Sequence, residues 1–239
     1  MKGIILAGGM GSRLYPLTKV TNKHLLPVGK EPMIFNPIRV MIQAGVTDIM
    51  VVTSKEHMGD IVNQLGSGRE FNCQFTYRVQ EEAKGIAHAL LLAENFAGQD
   101  RIFVILGDNI TTGNLKPHVD EYLRQEKGAK VLLKRVGDPE RYGVAAIDEK
   151  QIVDIEEKPA QPRSNFAVIG YYMYDQQVWS IIRGLTPSNR GEYEITAVNN
   201  AYVHLHQLTY GVLEADWTDA GTFESLEQAN AMMFNWNRR

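Results

Sequence analysis

Residues 1–28, MKGIILAGGMGSRLYPLTKVTNKHLLPV, decide the fold. Residues 2–7 form a short apolar run bounded by glycines, which reads as a buried strand. The chain then enters Gly8-Gly9-Met10-Gly11-Ser12-Arg13, where three of four successive positions lack a Cβ. Such backbone can turn its N–H groups inward and approach an anion closely. Arg13 and Lys23 follow, and no acidic residue occurs between Lys2 and Lys30. A glycine loop with two nearby cations suits a polyphosphate. The plainer alternative is that the glycines only turn the chain after a strand. Neither of the two common phosphate loops is present: Leu14 stands at the third glycine position of G-x-G-x-x-G, and there is no Gly-Lys-Ser/Thr.

Outward from this stretch, helical spacing covers residues 32–44, 56–65 and 85–97, with strand-like runs at 47–53, 73–79 and 101–106. The alternation predicts an α/β fold: a Rossmann-like, mostly parallel central sheet with helices on both faces. A helix is expected to run to Lys127. After it, the runs at 129–136, 143–148, 152–158 and 166–174 predict an antiparallel extension. Two helices (192–206 and 223–236) flanking a strand (207–214) close the chain. No repeat or low-complexity linker interrupts it, so residues 1–239 read as one domain: a nucleotide half (1–113) and a sugar half (114–239).

Charge adds a constraint. Lysines and arginines number 25 against 28 acids, a net of −3, so no global basic field attracts nucleic acid or an anionic membrane. One cysteine, Cys73, excludes an internal disulfide framework and suits a reducing compartment. The run after Met1 is too short for a signal sequence and no stretch is long enough to span a bilayer, so a cytoplasmic location is expected.

The pattern L-A-G-G-x-G-[ST]-R-L-x-P-L-T followed by K-x-L-L-P-V, carried by Leu6 to Val28, resembles the opening of the sugar-phosphate nucleotidylyltransferases. Further segments fit the same family. They are Gly107-Asp108-Asn109 at the end of a buried strand, Asp138-Pro-Glu-Arg-Tyr-Gly-Val144, Glu156-Glu157-Lys158-Pro159, Arg190-Gly-Glu-Tyr-Glu-Ile-Thr196 (with Ala197 where Asp is usual), and Trp217-Thr-Asp219-Ala-Gly-Thr222. Read without the family, Asp108-Asn109 is ordinary turn chemistry, Glu156-Glu157-Lys158 a solvated charge run, and Glu192 and Glu194 helix N-terminal charge.

The resemblance implies roles. Leu6, Ala7, Gly8, Gly9, Gly11, Ser12 and Arg13 would bind the nucleotide, with Gln80 and Gly85 facing its base; the acidic segment between these last two leaves base identity open. Asn109, Tyr142, Gly143, Glu157, Lys158 and Val168 would bind the sugar phosphate, with Glu192 and Glu194 as further candidates. Asp108 and Asp219 would hold Mg2+, a hard cation that usually completes its shell with phosphate oxygens and water. Arg13, Lys23, Asp108 and Lys158 would carry catalysis.

Within the family, the resemblance implies dTTP and glucose 1-phosphate as substrates and the first step of dTDP-rhamnose synthesis; oligomers are usual in the family, so a homo-oligomer, dimer or tetramer, is expected. Longer members continue past the point where this chain stops with helices that help form their regulatory site, so feedback inhibition by a downstream dTDP-sugar is expected to be absent or built differently. The attacking phosphate monoester has a second pKa of about 6 and needs no general base. The six histidines accordingly have no assigned role, and Trp179, Trp217 and Trp236 read as core or interface aromatics. Three alternatives stand beside this reading: a UTP-dependent or other sugar-phosphate relative, a non-catalytic nucleotide-sugar-binding subunit, and, disfavoured by Leu14 and Asp108, a nicotinamide dehydrogenase.

Overall fold

The computed structural model describes residues 1–236; the last three residues of the expected sugar half lie outside them. β1 (Lys2–Ala7) is the apolar run just quoted. Its side chains alternate, Ile4 and Leu6 entering one core and Ile5 and Ala7 the other, so both faces are covered. A two-residue hairpin, β2 (Pro27–Val28) with β3 (Glu31–Pro32), then leads into α1 (Phe35–Gln43). Pro37 falls within the first turn of α1, where its missing N–H costs no helical hydrogen bond. β4 (Asp48–Ser54), α2 (Met58–Leu65) and β5 (Gln74–Gln80) follow as expected within a residue or two. The helix expected over 85–97 divides into α3 (Ile86–Leu91) and α4 (Glu94–Ala97) before β6 (Ile102–Leu106).

These four long strands pair in parallel in the order β5-β4-β1-β6. The chain therefore reverses its direction of winding between β1 and β6, and α/β sheets of this kind bind ligands beyond the carboxyl ends of the strands at that crevice.

After the short β7 (Asn109–Thr111) comes α5 (Lys116–Leu123), and then the antiparallel extension: β8 (Ala129–Arg135), β9 (Gly143–Asp148), β10 (Gln151–Glu157) and the long β11 (Phe166–Tyr174). β11 pairs with β8 along one edge, and with β9 and then β6 along the other. That splice joins the two halves in a single sheet. α6 (Gln177–Arg183), which the sequence reading missed, and α7 (Ile195–His204) pack with α3 on one face; α1, α2 and α5 cover the other. β12 (Leu208–Val212) adds to β8 in parallel.

β13 (Trp217–Asp219) and α8 (Phe223–Trp236) complete the chain. A third small core gathers Leu14, Leu26, Val28, Met33, Ile110 and Ala220 under Leu226, Ala229 and Met233 of α8. This is the reason for Leu14. Fully buried, it anchors the base of the glycine loop to the segment carrying Asp219, and burying such a side chain contributes about 1.5–3 kcal/mol. Cys73 is a buried free thiol, and among the described residues no helix is long and apolar enough to cross a membrane.

Candidate active site

The carboxyl ends of β1 and β6 lie side by side, with Leu6 opposite Leu106, and from them emerge the glycine loop and Gly107-Asp108. Above them opens a cleft of about 420 Å3. Asp108 sits at its floor. Lys23 Nζ donates to Asp108 Oδ2 at 2.5 Å, and Asn109 Nδ2 donates to Asp108 Oδ1 at 3.1 Å. Burial alone would raise the Asp108 pKa, but the Lys23 charge and these hydrogen bonds hold it well below the usual carboxylate range. His24 is buried beside the pair. Burial, then the Lys23 charge, brings its pKa down to about 3, so it is neutral near pH 7. Asn22 Oδ1 accepts both the His24 backbone N–H (2.9 Å) and His24 Nδ1–H (2.7 Å), which fixes the turn presenting Lys23.

Asn109 is almost wholly occupied by neighbours. Its Oδ1 accepts from Trp217 Nε1 (2.8 Å) and from the Gly170 N–H (3.1 Å), leaving one amide hydrogen for a ligand. Trp217, read from sequence as a core or interface aromatic, thus also orients the residue next to Asp108.

Asp219 arrives through β13, which pairs with β7 so that Asp219 lies opposite Asn109. Burial and the Asp108 charge raise the Asp219 pKa, while Arg141 and Arg13 oppose the shift. Arg141 reaches Asp219 at 3.3 Å, and Tyr142 Oη donates to it at 3.4 Å. Arg13 lies over the same turn: a Cβ placed at Gly221 would come within 3.0 Å of its guanidinium. Two partly buried carboxylates close enough to feel each other's charge form an oxygen-donor set suited to Mg2+. Among the described residues no group of three or more His, Cys, Asp or Glu gathers as a fuller cage.

At the far end of the cleft, register does the assembly. Gly143 in β9 lies opposite Glu157 in β10 and opposite Val168 in β11, so three positions far apart in sequence form one strip. The Thr196 hydroxyl donates to Glu157, and Arg190 holds Glu194 (2.8 Å) and approaches Glu157 (3.5 Å). Lys158 leaves the end of β10 with φ +47, its N–H donating to the Tyr142 carbonyl at 2.9 Å. Gln80 ends β5 at the opposite side of the cleft. Gly85 (φ +97) could not carry a side chain there, because a Cβ would meet the Tyr193 carbonyl at 2.7 Å.

Of the residues singled out from sequence, Leu6, Gly8, Gly9, Arg13, Lys23, Gln80, Gly85, Asp108, Asn109, Tyr142, Gly143, Glu157, Lys158, Val168 and Asp219 line this one cleft, as do Glu192 and Glu194. Ala7, Gly11 and Ser12 do not line it. Ala7 faces the core, Ser12 is exposed, and Gly11 (φ +64) shapes the loop by letting Thr18 and Lys23 pack against its backbone. The sequence reading passed over His24, Arg141, Arg190 and Thr196, all of which line the cleft. Arg141, Arg190 and Thr196 belong to quoted motifs, so the signal was present without a role.

Comparison with known proteins places the chain in a family. A family model described as nucleotidyl transferase matches residues 2–235. A glucose-1-phosphate thymidylyltransferase of Neisseria meningitidis is 42% identical over 96% of this chain and 81% of its own length. One from Mycobacterium tuberculosis is 39% identical over 100% of this chain and 84% of its own. A Bacillus anthracis crystal structure provisionally named as a glucose-1-phosphate thymidylyltransferase, in complex with a sucrose, superposes with a TM-score of 0.95 at 58% identity, covering 98% of this chain and 96% of that one. A UDP-glucose pyrophosphorylase complexed with UDP-glucose superposes at 0.87 with 26% identity, covering 100% of this chain and 99% of that one.

Proposed function

The chain belongs to the nucleotidyl transferase family, and on that premise we propose that it transfers a thymidylyl group from dTTP to α-D-glucose 1-phosphate, giving dTDP-glucose and pyrophosphate. A phosphate oxygen of the sugar phosphate attacks the α-phosphorus. The new P–O bond forms as the bond to the β-phosphate breaks, and pyrophosphate leaves with that electron pair. The nucleophile is already largely dianionic at neutral pH, so no general base is needed. The barrier is repulsion between two anions, and positioning with charge neutralisation lowers it.

The assignment of roles follows the cleft from end to end. Gln80 and Gly85 face the base. The glycine-loop amides and Arg13 take the triphosphate. Lys23 steadies the transferring phosphoryl group, and Lys158 orients the attacking phosphate, with Arg190 and Arg141 adding positive charge. Tyr142, Gly143, Glu157 and Val168 border the sugar, while Asn109 acts mainly by holding Asp108. Asp108 and Asp219 would hold Mg2+, which when bound supplies further neutralisation at phosphate oxygens.

The observation that carries the reading is the gathering of Lys23, Asp108, Asp219 and Lys158 around one crevice at the β1/β6 reversal. A pyrophosphate-release assay over dTTP, UTP, dCTP and ATP, each with glucose 1-phosphate and other sugar phosphates, tests it. The highest kcat/KM is expected for dTTP with glucose 1-phosphate. A preference for UTP overturns the thymidylyl assignment, and no pyrophosphate from any pair overturns the enzyme reading. We further propose a cytoplasmic homo-oligomer, dimer or tetramer, which sedimentation of the native protein tests for subunit number.

A further inference from the structure

Gln80 has a partner that stands outside the cleft. Its Nε2 lies 3.3 Å from His88 Nδ1. Gln80, only 8% exposed, lines the cleft from the end of β5, whereas His88 on α3 lies behind it in an outer recess shared with Glu81, Glu82 and Lys84. The His88 ring stacks on Tyr193, with centroids 6.1 Å apart and planes at 27°. Tyr193 is itself pinned: its N–H donates to the Lys84 carbonyl (2.8 Å) and its carbonyl accepts from the Ala87 N–H (3.1 Å). His88 is therefore held by neighbours that do not depend on Gln80.

We propose that His88 is a positioning residue that sets which end of the Gln80 amide faces the base, and so selects an imide base over cytosine. The inference rests on the reading above in which Gln80 faces the base. A primary amide has two ends of nearly the same shape, one donating and one accepting, and its neighbours decide its orientation. With a lone pair on Nδ1, His88 draws the Gln80 NH2 group toward itself. The carbonyl oxygen then lies against the glycine loop, where a Cβ placed at Gly8 would come within 2.5 Å of Oε1. An acceptor at that end of the cleft matches the N3–H of thymine or uracil. It meets the lone pair of cytosine N3 with a like dipole. The reversed amide would present NH2 there and favour cytosine instead. Burial sharpens the discrimination, because an unmatched polar group in this position has little water to turn to.

The test is a polarity series at one position, read as the ratio of kcat/KM for dTTP to that for dCTP. Both substrates carry the same triphosphate, so a change of charge at residue 88 cancels in the ratio. His88→Asp keeps an acceptor and is expected to retain the wild-type preference. His88→Phe keeps an aromatic ring for Tyr193 but loses the acceptor, and the preference is expected to fall about fivefold, the worth of one neutral hydrogen bond. His88→Lys offers only donors, draws in the Gln80 oxygen, and is expected to fall further, by about tenfold or more. The loss in the Phe and Lys variants should lie in the KM for dTTP, with the KM for glucose 1-phosphate unchanged. The proposal is overturned if all three variants keep the wild-type ratio while Gln80→Ala collapses it, or if the three lose it equally. Should Gln80→Ala also keep the ratio, the base is read elsewhere. The base-contact assignment then falls with this proposal, while pyrophosphate release would leave the nucleotidyl-transfer reading standing.

Discussion

Lys23 Nζ and Asp108 Oδ2 are 2.5 Å apart, in side chains only 12% and 15% exposed. The pair ties the segment after the glycine loop to the end of β6, across the line where the sheet reverses its winding. It is one of several pairings by which the cleft neutralises itself. Arg141 takes Asp219, and Arg190 takes Glu194 while leaning toward Glu157. In the proposed reaction, an incoming phosphate would compete with these carboxylates for the cations. Mutually exclusive partners of this kind let the site hold many charges without a net field when no substrate is bound.

Asp108→Asn tests the pair directly. Asparagine keeps the size of the side chain and an oxygen for Lys23, so circular dichroism and chromatographic behaviour should be those of the parent. Turnover should fall at least about a hundredfold, the scale on which loss of one preorganised electrostatic partner is felt. A variant with the parent rate removes Asp108 from the reaction.

Much of the site was legible in the chain because its residues sit in short local patterns. Gly8 to Arg13, Tyr142-Gly143 and Glu157-Lys158 could each be found without knowing what lay opposite. The parallel core was legible too, since β1 and β6 are apolar on both faces. What could not be read was pairing between distant short pieces. β7 and β13 are three residues each, too short for a period, and the first is indistinguishable from a turn. Yet their register brings Asp219 beside Asp108. Arg141 and Arg190 were hidden for another reason: each has an acid within one helical turn in sequence, Asp138 and Glu194, which makes an ordinary local ion pair the simplest expectation. Asn109, expected to contact the sugar phosphate, lines the cleft with one amide hydrogen free, and its contacts to Asp108, Gly170 and Trp217 were not legible in the sequence.

Lys158 carries a left-handed backbone, φ +47, that a non-glycine residue adopts at a cost. Lys158→Ala should raise the KM for glucose 1-phosphate about tenfold or more, with the KM for dTTP nearly unchanged. Lys158→Gly should show the same kinetic loss but melt no lower than the alanine variant, because glycine accepts this φ. Equal losses for both substrates would argue against Lys158 as the holder of the attacking phosphate.

Away from the cleft, Lys130 in β8 is fully buried, with its ammonium 2.8 Å from the half-solvated carboxylate of Glu121 on α5. The Lys130 hydrogen bond lowers the Glu121 pKa below the ordinary 4.5. A depressed carboxylate stabilises the fold above its unfolded pKa, and that contribution disappears as pH falls through the folded value. Glu121→Gln should therefore lower stability at pH 7 by about 1–2 kcal/mol, modest because water screens the glutamate side, and should flatten the loss of stability below pH 4.5. Adding Lys130→Met should restore much of the neutral-pH loss, since an unpaired buried charge is then replaced by an apolar side chain. Urea unfolding at several pH values measures both effects.

Gly221 separates function from folding at the other end of the turn that carries Asp219. A Cβ there would lie 3.0 Å from the Arg13 guanidinium and 3.6 Å from Asp219 Oδ2. The first contact is with the far end of an exposed, flexible side chain, so Gly221→Ala should fold and melt like the parent while Arg13 swings aside. If Arg13 meets the triphosphate, the KM for dTTP should rise severalfold and the KM for glucose 1-phosphate should stay where it was. The double variant decides whether the route runs through Arg13. Residues acting through one shared contact are not additive, so Gly221→Ala placed on Arg13→Ala should cost nothing more than Arg13→Ala alone. A further drop in the double variant would mean that the added methyl acts on Asp219 instead. The turn would then owe its glycine to the carboxylate rather than to the arginine above it.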